Sequence, residues 1–335
     1  MNTPKLTGKQ VLVTGATGFI GRRLVAAFNK AGMPVTASGR RDVEGPWQQF
    51  QLADLTDPHV QFSLRNTDAI VHLASKAHAV AEHHEKDSEY KSVIVEGTRR
   101  IVDAAERDGV RCLVYVSSVK AMGNEGGIGR RWDRPITEAD SPDPQTPYGR
   151  CKLEAESIAL QSSIPHVVVL RPVMVYGPGH KGNLVRMAEA IRRKRFPPIA
   201  ENGNRRSMVH VDDVVEACML ASHSEDRCNR GIYIIASEPA LSTRSLYDSL
   251  RREMGMRPLK WSFPGWPLRL GAIIGDLMEE VTGKRMPING DLVSKLIGDA
   301  WFSGCRSQEE LGIIYKSVEQ LLGEGQSLRT ESQSN

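Results

Sequence analysis

Tyr148 and Lys152 stand in the run Tyr148-Gly149-Arg150-Cys151-Lys152, and Ser117-Ser118 lies 30 residues before the tyrosine. On a helix, positions i and i+4 share a face, which brings the lysine ammonium near the tyrosine hydroxyl. A free tyrosine titrates near pH ~10. An adjacent cation favours the phenolate and lowers that value. A tyrosine tuned this way moves a proton to or from a sugar or alcohol oxygen near neutral pH. The Tyr-x-x-x-Lys spacing alone is common. Behind the glycine-rich run Thr14-Gly15-Ala16-Thr17-Gly18-Phe19-Ile20-Gly21 it reads as a redox site.

The elements that must position these residues begin with Gln10 to Thr14, an apolar, β-branched strand. The glycine run follows at once. Arg22 to Lys30 then carries a helical apolar pattern in Leu24, Val25 and Phe28. Strand, glycine turn and helix are the context a dinucleotide fingerprint requires. Gly15 allows the tight turn, Gly18 lets a pyrophosphate approach the backbone, and Gly21 lets the helix pack on the strand. The phosphates meet the helix N-terminus, where free N–H groups and the dipole favour anions. The second strand, Pro34 to Ser38, leads into Gly39-Arg40-Arg41 with no carboxylate at its end. An acid there bonds the ribose 2′-hydroxyl of NAD, whereas arginine accommodates the 2′-phosphate of NADP. Arg40 and Arg41 tilt an NAD(P) site toward NADP; the alternative is that both are solvated turn charges.

Strand-like and helix-like runs alternate up to Gly177, the mark of a parallel sheet with crossover helices. The strands are continuous apolar runs, as buried parallel strands are. The fold class expected is α/β: a doubly wound parallel sheet of the Rossmann type with a smaller C-terminal substrate lobe. Residues 1–177 form the dinucleotide-binding part, with 212–237 returning to it. Residues 178–211 and 238–325 form the lobe, and 326–335 a disordered tail. Gly123 to Pro147 is long and rich in Gly, Pro and charge, and reads as a flap over the site. Three polar residues carry two readings each. His78 is a substrate contact or a solvated loop residue. Lys120 faces substrate or flap. Asn183 binds a substrate phosphate or caps a helix.

The 335 residues suffice for a large core, with about 75% of the unfolded surface buried at this size. A net charge of +4 is too mild to imply nucleic acid, and Arg192-Arg193-Lys194-Arg195 fits the last turn of a helix. No 18-residue apolar run offers a membrane span, and the first strand is reached without an apolar signal segment. Five scattered cysteines with no C-x-x-C pair fit reduced thiols in the cytoplasm, and Cys151 reads as structural. No His, Cys and carboxylate cluster has metal-ligand spacing, so no metal is expected.

Taken together, these residues resemble the extended branch of the short-chain dehydrogenase/reductase superfamily, the NAD-dependent epimerase/dehydratase family. Within it the chain is similar to bacterial nucleotide-sugar epimerases and 4-ketoreductases, from about Lys9 to about Ile313. Thr14 to Gly21 matches the fingerprint TGxTGFIG, which assigns Gly15, Thr17, Gly18, Phe19, Ile20 and Gly21 to the cofactor. Leu52-Ala53-Asp54-Leu55 matches the adenine-contacting segment, implying Asp54 and Leu55. Asp68 to Ala74 matches the fourth strand, whose cofactor-lining end is Leu73 and Ala74. Alignment on Gly123 makes Ser118 the catalytic serine, beside Tyr148 and Lys152, both of which also touch the cofactor. Leu170 to Gly179 matches the strand entering the substrate lobe. Arg205 to Asp213 matches R-x-x-x-H-V-x-D, in which Arg206 contacts the substrate's nucleotide diphosphate.

Two departures stand out. Ile94 replaces the usual Asn of N-V-x-G-T, and the R-x-G-D element of galactose epimerases is missing, which leaves the second half of the substrate site unassigned. The resemblance implies hydride transfer at C4 of a UDP-sugar through a 4-keto species, in a cytoplasmic homodimer. One alternative is an NADPH-dependent 4-ketoreductase of a UDP-4-keto-6-deoxy sugar. The other is a non-catalytic, dinucleotide-sensing binding module.

Overall fold

The computed structural model describes residues 10–61, 63–75, 87–123, 132–180, 182–223, 228–282, 286 and 289–318. The chain opens with β1 (Gln10–Thr14), α1 (Phe19–Lys30), β2 (Val35–Gly39), β3 (Gln49–Leu52) and β4 (Thr67–His72). It continues through α2 (Asp87–Tyr90), a π-wound segment (Lys91–Glu96), α3 (Gly97–Asp108), β5 (Cys112–Val116) and α4 (Pro147–Gln161). Then come β6 (His166–Pro172), β7 (Met174–Tyr176), α5 (Asn183–Arg192), β8 (Arg206–His210), α6 (Val211–His223), β9 (Ile232–Ile235) and β10 (Ser237–Leu241). The last helices are α7 (Thr243–Glu253), α8 (Trp266–Thr282), α9 (Gly290–Ile297) and α10 (Cys305–Leu311).

Seven strands pair in the order β3-β2-β1-β4-β5-β6-β9, every pair parallel. Alternation along each strand splits the core in two. Val11, Val13, Val71 and Val114 pack with Leu24, Val25 and Phe28 of α1 and with Val214, Cys218 and Ala221 of α6. Leu12, Ile70, Leu113 and Val167 face the other way, against Ile101 and Ala105 of α3 and Ala155 and Ala159 of α4. Both faces are therefore covered, as the all-apolar strand runs require.

A second sheet, β10-β8-β7, pairs β7 with β8 in parallel and β8 with β10 antiparallel. Tyr176, Met208, Leu184, Ile191, Leu246 and Leu250 close a separate core between this sheet and helices α5 and α7. Ile199, Ala272, Val293 and Ile297 make a third, small core under α8 and α9. The chain crosses back to the large sheet with α6 and β9 before returning to the small one.

The helix that follows β4 starts at Asp87 and is wound as π across Lys91–Glu96. Tyr90, Ile94 and Val95 are all buried. The apolar Ile94 therefore finds a place in the core, and Gly109, at φ 72°, ends the helix in the left-handed conformation.

The flap reading needs correction for its described part. None of residues 132–146 lines the central cavity. Ile136 is buried and pairs with the Trp301–Ser303 backbone, while Glu138 accepts a bond from the Ile234 N–H at 2.6 Å. Arg134 and Asp140 form an ion pair at the start of a turn. Proline and charge here reflect a stapled surface crossing rather than a lid.

One polar chain ties the ends of β1 and β4 together. The Ala74 N–H donates to the Thr14 hydroxyl (3.1 Å), which bonds His72 Nδ1 (2.6 Å). His72 Nε2 meets the Thr98 hydroxyl (3.2 Å), which donates to the Ile94 carbonyl (2.6 Å). Thr98 spends its proton on Ile94, so Nε2 must be the protonated nitrogen and Nδ1 the acceptor. Burial, aided by the charge of Lys152, pushes the His72 pKa down to about 3, so the ring is neutral at any ordinary pH. Thr14→Val removes one link and strands the buried imidazole nitrogen. The expected loss is about 1–3 kcal/mol of unfolding free energy in a denaturant titration; an unchanged midpoint would show that the chain carries no stability.

Candidate active site

Thr146 caps α4, its hydroxyl accepting the Gly149 N–H at 3.1 Å, and Pro147 supplies the first helical residue. Tyr148, Lys152 and Glu156 then fall on one face, one turn apart, and all three are buried. What lets α4 sit this close to the end of β5 is Gly149. A Cβ there would lie 2.3 Å from the Lys120 carbonyl oxygen, inside the short turn Val119–Ala121. The glycine within the Tyr-Gly-Arg-Cys-Lys run thus sets the approach of the tyrosine to the serines, a role sequence reasoning passed over.

The two serines divide their work. The Ser117 hydroxyl donates to Glu156 Oε1 at 2.5 Å and is spent on the fold. Ser118 accepts the Lys120 N–H at 3.3 Å and lines the cavity, as do Tyr148 and Lys152. The Arg171 guanidinium grips Glu156 through Nε (2.9 Å) and Nη2 (2.5 Å). Both partners are buried at 2% and 1% exposure, so the pair is desolvated and held bidentately. Lys152 Nζ donates to the Val116 carbonyl at 3.0 Å and lies 5.0 and 6.0 Å from the ring centres of Tyr115 and Tyr148. Loss of water lowers the Lys152 pKa to about 8, with Glu156 opposing the shift. Cys151 points into the core, and burial raises its thiol pKa.

A cavity of about 1950 Å³ opens beside these residues. One wall is the glycine loop. Gly15 takes φ +68°, and a Cβ on Gly21 would lie 2.3 Å from the Gly15 carbonyl oxygen. The close contact of Gly21 is with the loop itself rather than with β1. Gly18 begins α1 with no side chain bonded to its first-turn N–H groups. The residues that carry those donors line the cavity, which is the cradle a pyrophosphate needs. Thr17, Phe19, Ile20, Leu73 and Ala74 line it as well. Asp54 and Leu55 stand at its far wall beside Arg40. Bonds from Thr56 hold the Asp54 carboxyl below its usual range, with Arg40 contributing. The residues fit a dinucleotide. Arg40 lines the wall, and Arg41, also exposed, is not among the residues that line it.

The opposite wall comes from the small sheet and the late helices. Arg206, at the start of β8, lines it, as does Asn183, whereas Lys120 lines the cavity from the turn after β5. Asn183 is not the cap of α5: Gly182 occupies that position and no side chain caps the helix. His78 lies outside the described residues. Sequence reasoning left this half of the wall unassigned, and Met286, Asn289, Leu292 and Leu296 now fill it. The motif-free α9 and its leading segment carry these residues. The one signal available was Asn289 ahead of an apolar run, a helix start, and it does cap α9 by accepting the Leu292 N–H. His180, whose ring meets Phe19 at a tilt of 41° with centres 4.9 Å apart, is a further wall residue that was missed. Among the described residues no group of His, Cys, Asp and Glu could hold a metal.

Residues 11–236 match the NAD dependent epimerase/dehydratase family, and the chain belongs to it. The chain is 27% identical over 290 residues to the UDP-glucose 4-epimerase of Vibrio cholerae, covering 82% of this chain and 86% of that one. It is 25% identical over 311 residues to the N-acetyl-α-D-glucosaminyl-diphospho-ditrans,octacis-undecaprenol 4-epimerase of Escherichia coli O157:H7, covering 88% of each. Among solved structures, MoeE5 in complex with UDP-glucuronic acid and NAD superposes with a TM-score of 0.72 at 26% identity, over 95% of this chain and 97% of that one.

Lys152 gives this site a testable cost. Its folded pKa lies below the ordinary 10.5, so the penalty for burying the charge is fully present below about pH 8. It shrinks between about 8 and 10.5 and is gone above. Lys152→Met is expected to raise the thermal midpoint of the cofactor-free protein at neutral pH, and the gain should narrow as pH climbs through that window. A midpoint no higher than wild type at neutral pH, or a gain that widens in alkali, contradicts the buried-cation account.

Proposed function

We propose that the protein transfers hydride at C4 of a UDP-sugar and works as a 4-epimerase, with a 4-keto sugar as its intermediate. What carries the reading is the convergence of Tyr148, Lys152 and Ser118 on the wall of a cavity whose other side bears a dinucleotide cradle. The chemistry a bound nicotinamide dinucleotide supplies there is reversible hydride transfer. Tyr148 takes the C4 hydroxyl proton as the sugar is oxidised and returns it after the sugar has presented its other face. The Ser118 hydroxyl, free of the Glu156 contact that occupies Ser117, orients the C4 oxygen. Lys152 places a cation behind the tyrosine and holds the cofactor ribose.

Across the cavity, the Arg206 fork and the Asn183 amide are assigned to the substrate diphosphate, with Lys120 beside the sugar. Guanidinium suits phosphate oxygens because its planar fork matches them. A hexosyl diphosphate is the part shared by the substrates named for the Vibrio and Escherichia relatives. In the same reading residues 1–177 with 212–237 hold the dinucleotide, and 178–211 with 238–325 hold the substrate. The reading includes a cytoplasmic homodimer; five free cysteines accord with the cytoplasmic part. Arg40 favours NADP and, with it, the second reading, a ketoreductase that runs only the return half of the cycle.

Three measurements test this. Purified protein without added cofactor should interconvert a UDP-sugar and its C4 epimer, followed by NMR of the anomeric protons; consumption of NADPH with a 4-keto sugar nucleotide and no epimerisation would select the ketoreductase. Tyr148→Phe should then cut kcat by about 10²–10⁴-fold while dinucleotide affinity stays nearly intact. Retained turnover would remove Tyr148 from the reaction. In a calorimetric titration, Arg40→Ala should weaken NADP more than NAD, and equal losses would end the 2′-phosphate assignment.

A further inference from the structure

Helix α8 turns its apolar side outward. Trp266, Leu270, Ile273, Leu277 and Val281 recur at helical spacing and fall on one stripe. They are 68%, 51%, 66%, 61% and 78% exposed, far more than any core position tolerates. The opposite side is the packed one. Ala272 and Gly275 are buried there, Asp276 accepts the Gly290 N–H at 2.8 Å, and Glu279 accepts from Met286 N–H and the Asn289 amide. Asp276 and Glu279 are thus engaged toward α9, away from the stripe's centre, while Glu280 is exposed at the stripe's edge near the helix C-terminus.

Charge says what the stripe meets. From Met254 to Gly275 the chain holds Arg257, Lys260 and Arg269 and no Asp or Glu. All three cations are exposed, and Trp261, 57% exposed, precedes Trp266 by five residues in the chain. An apolar stripe with tryptophans and acid-free cations gathered at its N-terminal end suits a helix that lies in the boundary of an anionic bilayer, that end foremost. At 17 residues it is about 25 Å long and too short to span one. We propose that the outer face of α8 docks on the surface of an anionic phospholipid membrane. Because α8 packs on α9, whose Leu292 and Leu296 line the cavity, docking sets that wall of the site next to the lipid. The inference stands apart from the choice of substrate.

The test is co-sedimentation of the full chain with extruded vesicles, of phosphatidylcholine alone and of phosphatidylcholine mixed with phosphatidylglycerol. At low salt the protein should bind the anionic vesicles about tenfold or more over the neutral ones, and high salt should erase the preference. Ile273→Glu with Leu277→Glu should lower the bound fraction about tenfold or more. Lys260→Glu with Arg269→Glu should remove the anionic preference. Both variants change exposed side chains and should keep wild-type dinucleotide affinity, which reports an intact fold. Wild-type protein that stays in solution with both vesicle types overturns the proposal. So does light scattering that finds a wild-type oligomer dissociated by Ile273→Glu with Leu277→Glu, since a second copy would then cover the stripe.

Discussion

A lysine, a glutamate and an arginine share one dry pocket beneath the site, and the rest of the arrangement depends on how their charges are balanced. Desolvating three ionised groups is expensive, and the expense is offset only by close, well-directed contacts. Glu156 supplies them. It takes two bonds from Arg171 on β6 and one from Ser117 after β5, while its charge supports Lys152 one turn earlier on α4. The cluster fastens α4 to two strand ends at once. With Gly149 against the Lys120 carbonyl, it fixes where Tyr148 stands relative to Ser118.

The parallel sheet supplies the second constraint. Strand order runs outward in opposite directions from β1 and β4, and ligands bind where such an order reverses, beyond the carboxyl ends of the strands. Thr14, Ser38, Ala74, Ser118 and Val173 follow or end five different strands, and all line the one cavity. The neutral His72 and its two threonines lock the central pair of those ends together without bringing a charge to the cofactor cradle. Rigidity at the strand ends and an uncapped helix N-terminus are therefore products of the same local sequence.

Much of this was legible in the chain. The large sheet was written in runs such as Val11-Leu12-Val13, because parallel strands covered on both faces carry no polar register. The Tyr148–Lys152 pair and the glycine fingerprint were legible because helix periodicity and tight turns are local properties. What escaped was non-local. The Gly149 contact depends on a carbonyl 29 residues earlier, and the assignment of Ser117 to the fold depends on Glu156 being near. The α9 wall rests on packing against α8 and on no motif. The stapled segment after Trp132 was not legible as such, because charge and proline are equally common on lids, turns and plain surface crossings.

At the centre of the account is the claim that Lys152 is a buried cation whose proton is held weakly for lack of water and retained with help from Glu156. A carbon-13 NMR titration of lysine side chains observes this directly, with Lys152→Met identifying the resonance. The account predicts one lysine titrating at about 8 in the wild type, absent from Lys152→Met and shifted lower still in Glu156→Gln. A wild type in which every lysine titrates near 10.5, or a Lys152 indifferent to Glu156→Gln, would contradict it.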